Sequence, residues 1–293
     1  MTMVQHGIME PLPAAARYLF FTLRPEVPAH QLRIAIEDLP QHGEIVIGLG
    51  QSLIQQLGAE LEGLHPFPAL THQGIDIPST PAALWLWLRG DDRGELLHRS
   101  RDIEQQLAEV LELEQITDAF VYDGGKDLTG YEDGTENPEG EDAVQAAICH
   151  QPPSLQGSSF VAVQQWLHDL DTFGSLSQTQ QDHSIGRRKS DNEELDEAPP
   201  SAHVKRTAQE SFVPEAYMLR RSMPWMNETG SGLMFVAFGH SLDAFEAQLK
   251  RMIGLEDGIN DALFHFTRPM TGSYFWCPPV KGSKLDLSAL DSK

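Results

Sequence analysis

Gly130-Tyr131-Glu132-Asp133-Gly134-Thr135-Glu136-Asn137-Pro138 lies near the middle of this 293-residue chain, and its reading decides what the flanking segments build. Glycines on both sides of Asp133 permit backbone angles closed to other residues and let the main chain approach a neighbour closely. Asn137-Pro138 is a turn signal that forbids a simple helix or a central strand at that point. The stretch is therefore a shaped loop presenting one carboxylate. Taken alone, such a loop is most often a solvated acidic turn, since Glu132, Glu136, Glu139, Glu141 and Asp142 crowd around it. A calcium loop is a weaker reading still: with Asp133 as first ligand, Thr135 and Asn137 take the third and fifth places, but Pro138 stands where that loop requires glycine.

Outward from the loop, the chain falls into two halves of similar pattern. Before it, Arg17 to Leu23 is aromatic and apolar enough for a buried strand, His30 to Leu39 reads as a helix stopped by Pro40, and Gly43 to Leu49 as a second strand leading into a helix from Ser52 to Gly58. Ala83 to Leu88 is a further strand, Gly94 to about Leu113 an amphipathic helix, and Ile116 to Val121 the strand that feeds the loop. After it come strands at Ser159 to Trp166, Tyr217 to Arg221 and Gly232 to Phe238. A helix follows from Leu242 to Ile253, then a helical stretch from Asp261 to Phe266 and a closing strand from Thr271 to Trp276. Two such halves predict an α+β protein made of antiparallel sheets covered by helices.

Composition bounds the function. Forty-three acidic against twenty-one basic residues leave a net charge of -22, which repels phosphate backbones and anionic membrane surfaces alike and argues against nucleic-acid binding. An acidic, solubilising surface is a commoner meaning of that charge than a site for cationic substrates. No apolar run approaches the ~20 residues that cross a bilayer. Met1 to Glu10 lacks a basic region followed by an apolar one, so no secretory signal is read there. Cys149 and Cys277 are the only cysteines, which rules out a four-cysteine zinc site and makes a disulfide framework improbable. A cytoplasmic location is expected.

Three pieces of sequence together carry a family resemblance. Gly130-x-x-Asp133-Gly134 with Thr135-x-Asn137-Pro138 resembles the signature loop of the dye-decolourising peroxidases, and of their B-type or P-class members in particular. Ser201-Ala202-His203-Val204-Lys205-Arg206 follows, and then Leu219-Arg220-Arg221-Ser222-Met223-Pro224, in that family's order and with His203 and Arg220 seventeen residues apart. The resemblance covers the chain from Arg17 to about Pro279. It implies two ferredoxin-like domains, 1–145 with the GxxDG loop and 146–293 with the haem ligand and distal arginine, and haem b held between sheet and helices of the C-terminal domain.

The resemblance also assigns roles. His203 is the expected proximal ligand of the haem iron, a position that leaves the opposite face open for peroxide. Its other ring nitrogen needs a carboxylate or carbonyl partner, for which Asp257 and Asp261 are both candidates. Asp133 is the expected proton shuttle and Arg220 the guanidinium that holds peroxide and stabilises the departing charge. Because successive strand residues face opposite sides, Arg221 is expected to point away, into a surface or inter-domain salt bridge, while Ser222 shares the face of Arg220. Gly134, Thr135 and Ser222 are expected at the cofactor. Arg187, in an otherwise loop-like charged run from Ile185 to Leu195, is expected to meet a haem propionate.

The function implied is a haem peroxidase that reduces hydrogen peroxide and oxidises small phenolic or dye-like reductants, working as a homo-oligomer of two or more copies. Bulky reductants would need surface relays, for which Trp85, Trp87, Trp166, Trp225 and Trp276 are candidates, although aromatics on strands are usually core. Two other readings share parts of the pattern: a chlorite-dismutase-like haem enzyme, and a haem carrier or iron-release protein without peroxide chemistry. The tail from Lys284 to Lys293 faintly suggests a docking peptide for an encapsulating shell, a frayed terminus being the commoner meaning.

Overall fold

The computed structural model describes residues 2–40 and 44–291. Eight strands form its frame: β1 (Ala15–Leu23), β2 (Ile45–Leu49), β3 (Leu84–Gly90), β4 (Leu111–Phe120), β5 (Ser159–His168), β6 (Met223–Asn227), β7 (Gly230–Gly239) and β8 (Ser273–Cys277). They pair antiparallel in the order β2-β3-β1-β4-β6-β7-β5-β8, and β8 returns to β2, so the sheet closes on itself. Closure leaves no unpaired edge within the ring. The ladder is uneven: β4 meets β6 at the single pair Ala119↔Trp225, and β8 meets β2 at the single pair Trp276↔Leu49. Those two seams separate the first four strands from the last four. Within each set the spatial order is the same, second-third-first-fourth in chain order.

Side chains alternate across every strand and so fill two cores. Inside the ring, Tyr18, Trp85, Trp87, Val161, Val163, Trp225, Val236, Phe238 and Phe275 form one cluster, with Tyr18 stacked on both Trp85 and Trp87. Outside it, Leu19, Phe21, Ile47, Leu86, Ala162 and Trp276 pack beneath the helices α1 (Ala29–Glu37), α2 (Arg93–Leu107) and α6 (Asp243–Met252). The strand tryptophans Trp85, Trp87 and Trp276 are fully buried core.

Three expectations need correction. The helix predicted to reach Leu113 ends at Leu107, because Leu111-Glu112-Leu113-Glu114 alternates with period two and joins β4 instead. Asp92 starts that helix by accepting the backbone N–H of Gly94 (2.7 Å) and Glu95 (3.0 Å). The strand predicted over Tyr217 to Arg221 is only Leu219–Arg220. The longer pairing on that edge of β7 is made by β6, from Met223↔Met234 to Asn227↔Gly230, with Pro224 tolerated near its start. The residue Gly43 of the predicted second strand, and Ser292 and Lys293 of the tail, lie outside the described residues. The described tail is folded onto the body: Lys284–Leu285 pairs with Val280–Lys281, Leu285 and Leu287 are buried, and Asp291 bonds Arg33 at 2.7 Å.

Candidate active site

The outer face of β5 and β7, the inner face of α6, and the loop from Asp127 to Asp133 enclose a cavity. Its walls are largely apolar: Trp166, Ile185, Leu233, Phe235, Phe245, Leu249, Met252, Leu263 and Phe266. Asp133, His203 and Arg220 stand among them, and the same three residues line a second cavity that continues toward Arg187 and Gln209. The three motifs, scattered over almost ninety positions of sequence, thus meet in one space.

His203 opens the short helix α5 (His203–Arg206), where Ala202 supplies an extended backbone before the first turn. Its Nδ1 lies 2.7 Å from Asp261 Oδ2, and Asp261 is completely buried, its other oxygen accepting the Leu263 N–H at 2.9 Å. A buried, doubly engaged carboxylate fixes the imidazole with Nδ1 as donor, so Nε2 is the nitrogen left to bind. Asp257 is engaged elsewhere, in a bidentate pair with Arg206 at 2.8 Å to each oxygen. Of the two carboxylates open to sequence reasoning, Asp261 is the partner.

Asp133 sits on the tip of the loop between Gly130 (φ +85°) and Gly134 (φ +78°), both in the left-handed region that glycine alone enters freely. Burial pushes its pKa above the usual carboxylate range, and the nearby Asp127 charge adds to that, while Arg220, His203 and the Gly134 N–H pull the other way. Arg220 reaches the cavity from the Leu219–Arg220 strand, and its Nε is buried without a partner. Asn137 clamps the arginine's main chain from both sides: the Arg220 N–H donates to Asn137 Oδ1 (2.9 Å) and Asn137 Nδ2 donates to the Arg220 carbonyl (3.0 Å).

A family model for the C-terminal part of Dyp-type peroxidases matches residues 125–282, more than half of the chain and the whole of this site. The chain belongs to the Dyp-type peroxidase family. A dye-decolorizing peroxidase of Rhodococcus erythropolis is 30% identical, the match covering 94% of this chain and 86% of that one; one from Mycobacterium tuberculosis is 29% identical over 93% and 88%. Among solved structures, a putative Dyp-type peroxidase from Shewanella oneidensis superposes with a TM-score of 0.87 at 29% identity, covering 95% and 97% of the two chains. A variant of Rhodococcus jostii DypB in complex with heme superposes with a TM-score of 0.86 at 25% identity over 95% and 97%.

The remaining expected site residues of this Dyp-type chain are less uniformly placed. Gly134, Thr135 and Arg187 line the second cavity and not the first. Arg187 is already paired, with Glu136, with the Asn192 carbonyl (2.8 Å) and more loosely with Glu194 (3.7 Å). Thr135 accepts from Asn192 Nδ2 at 2.9 Å. Ser222 lies outside both cavities: the register against β7 runs on from Arg220↔Ala237 to Met223↔Met234, which keeps Ser222 on the face of Arg220, but its buried hydroxyl is taken up by the sheet, accepting the Val236 N–H at 3.3 Å. Arg221 does face away, but onto the carbonyls of Ile8 (3.2 Å) and Met9 (3.1 Å) and not into a salt bridge.

Three residues escaped the sequence reading. Asn137 was legible only as a turn former, and nothing local announces that its amide matches a strand eighty-three positions away. Asp127 and His168, which line the cavity, form a pair at 2.9 Å. Each looks like an ordinary surface residue in sequence, one in a glycine-rich turn and one at a strand end. Although burial opposes its charge, the His168 ring and the Thr129 donors hold the Asp127 carboxyl below its usual range.

The cavity suits a flat apolar macrocycle carrying its own metal. Among the described residues no three histidine, cysteine or carboxylate side chains converge as a metal site, so a metal held through His203 Nε2 must bring its other ligands with it, as haem iron does. Two buried polar atoms without partners, Arg220 Nε and Gln164 Nε2, belong to residues of the same wall. Such orphans mark a place where a bound group completes the hydrogen bonding. Among the described residues no helix is long and apolar enough to cross a membrane.

Proposed function

We propose that this chain is a haem-dependent peroxidase in which His203 holds the iron, Asp133 moves the peroxide proton and Arg220 stabilises the separating charge. The enzyme reduces hydrogen peroxide and oxidises dyes. The observation that carries the assignment of residues is the meeting of the His203–Asp261 pair with Asp133 and the partnerless Arg220 Nε around one apolar cavity. Haem, when bound, supplies the iron that takes up peroxide and the conjugated ring that stores oxidising equivalents.

The residues do the rest. Asp261 keeps a proton on His203 Nδ1, which strengthens Nε2 as a donor. Asp133, in its carboxylate form, would accept the proton of one peroxide oxygen and return it to the other, which leaves as water. Arg220, fixed by Asn137, offers its guanidinium to the oxygen that gains negative charge as the O–O bond breaks. Burial gives Asp133 a carboxyl that both binds and releases that proton readily. Arg187, which lines the second cavity together with Gln209, Gly134 and Thr135, would pair with a propionate of a bound haem b.

We read the ring as two ferredoxin-like units, 1–145 and 146–293, because both four-strand sets share one spatial order and meet only at single-residue seams; the helix α3 (Gly140–Ala147) spans the junction. Small phenols are proposed as reductants alongside dyes, on the size of the cavity and the family likeness. A homo-oligomer in the cytoplasm rests on that likeness alone. The encapsulating-shell reading has little support, since the described tail is packed against the body.

The test is an absorption spectrum of haem-loaded chain before and after one equivalent of hydrogen peroxide, with His203→Ala, Asp133→Ala and Arg220→Ala alongside. A histidine-ligated spectrum lost in His203→Ala, with the peroxide-induced change slowed in the other two, is the expected result. Haem binding with no response to peroxide transfers the assignment to a haem carrier. Turnover of chlorite transfers it to the chlorite-dismutase-like reading.

A further inference from the structure

The wall of the cavity contains a hydrogen-bonded series that the roles above leave unused. One Asp127 oxygen accepts from the Thr129 N–H (2.9 Å) and hydroxyl (2.6 Å), and the other lies 2.9 Å from His168 Nε2. The opposite ring nitrogen, Nδ1, lies 2.7 Å from Thr267 Oγ1, which is also 3.1 Å from the Leu167 carbonyl. Asp127 lines the haem cavity. His168 and Thr267 line it too, and they also line a separate surface cleft that Asp127 does not reach.

Counting protons shows what the series can do. Thr267 has one hydroxyl proton and two acceptors within reach, the Leu167 carbonyl and His168 Nδ1. With that proton on the carbonyl, Nδ1 must carry a proton to make its contact, and the ring, also donating to Asp127 through Nε2, is an imidazolium. With the hydroxyl turned toward Nδ1, the ring is neutral and its proton sits on Nε2. A proton can therefore enter beside the cleft at Nδ1 and leave beside the cavity from Nε2 by hydroxyl rotation and short hops; each passage leaves the ring as the Nδ1–H tautomer, and a flip of the imidazole resets it for the next proton.

We propose that Thr267, His168 and Asp127 form a proton wire from the surface cleft into the peroxide cavity. Reducing one peroxide to two waters takes up two electrons and two protons. Asp133 can pass peroxide's own proton between its oxygens, but protons gained from solvent must cross the wall, and a reductant that gives electrons from outside the cavity brings none with it. The charged and titratable groups facing the wire are Asp169, Asp171, His265 and Arg268 at the cleft, Glu132, Asp133, His203 and Arg220 around the cavity, and Lys189, whose Nζ donates to the Thr129 carbonyl at 2.7 Å. The proposal rests on reading the cavity as the peroxide site.

Ferrocyanide, which donates electrons and no protons, is the discriminating reductant. Haem-loaded Thr267→Val, which keeps the shape and loses the hydroxyl, should turn it over about tenfold more slowly than wild type, with a larger rate ratio between H2O and D2O; this is less than the loss expected on removing a direct general acid. His168→Gln should behave alike, and Thr267→Ser should restore the wild-type rate. A second readout needs no turnover: in chain loaded with gallium protoporphyrin, the His168 ring N–H should exchange with solvent about tenfold more slowly in Thr267→Val, since the path to the cleft is cut. Equal ferrocyanide rates and isotope effects, or equal ring N–H exchange, overturn the wire, and if His168→Gln does not fold, Thr267→Val decides alone. A wild-type chain that takes up haem and reacts with peroxide while Thr267→Val matches it refutes only the wire; a wild-type chain that does neither refutes the peroxidase reading itself.

Discussion

Replacing Asn137 by alanine removes both hydrogen bonds that grip the main chain of Arg220, at 2.9 and 3.0 Å, without touching the guanidinium. A neutral hydrogen bond of this kind contributes about 0.5–1.5 kcal/mol net, so the pair holds Arg220 in place by about 1–3 kcal/mol. If all of that is expressed as correct placement when the O–O bond breaks, Asn137→Ala slows the peroxide step by between about 5-fold and about 150-fold. The assay is stopped-flow absorption of haem-loaded chain mixed with hydrogen peroxide, with haem content measured first so that a loading defect is not mistaken for slow chemistry. The same substitution in an Arg220→Leu background should add almost nothing, because the clamp has no guanidinium left to place. Equal slowing in both backgrounds, or none in either, would refute the argument that Asn137 acts through Arg220.

Asp133→Asn should stabilise the cofactor-free chain at neutral pH. The folded-state pKa of Asp133 is raised, so the carboxyl favours folding below its unfolded pKa and that contribution is lost as pH rises through the folded value; denaturant midpoints of variant and wild type should converge in acid and separate above it. Asp261→Asn should weaken haem retention by about 10- to 100-fold, measured by transfer to an excess of apomyoglobin, since the buried partner of His203 Nδ1 loses its charge. Gly186→Ala should lower stability by at least about 1–3 kcal/mol: the residue sits at φ +96° at the end of helix α4 (Gln178–Ile185), and an added Cβ would come within 2.3 Å of Val204 Cγ2. An unchanged unfolding midpoint there would mean that the turn into Arg187 relaxes freely.

What the sequence made legible was what local pattern encodes. Trp85-Leu86-Trp87 and Phe160-Val161-Ala162-Val163 read as strands because runs of large apolar residues are buried on both faces, as they prove to be between the ring interior and the helices. The meeting of Asp133, His203 and Arg220 came from a resemblance, since no spacing rule brings positions so far apart together. Closure of the ring was out of reach, because the seams that close it are the single pairs Ala119↔Trp225 and Trp276↔Leu49 and leave no periodic trace. The choice between Asp257 and Asp261 turned on Arg206, a tertiary partner that takes the first and leaves the second for His203. Ser222 failed for a local reason: alternation does keep it on the face of Arg220, but its short side chain ends at the sheet, where the hydroxyl accepts the Val236 N–H instead of reaching the cavity.

The aromatic interior of the ring belongs to neither half. Tyr18, Trp85 and Trp87 come from the first four strands, Phe238 and Phe275 from the last four, and Trp85 lies 5.9 Å from Phe275 while Trp87 lies 6.3 Å from Phe238. Cutting the gene at the midpoint would give each fragment a sheet with one face bare of its counterpart, and the larger share of those rings would meet water. Folding of this chain is therefore a joint act: each half supplies the dry surroundings that the other's rings need.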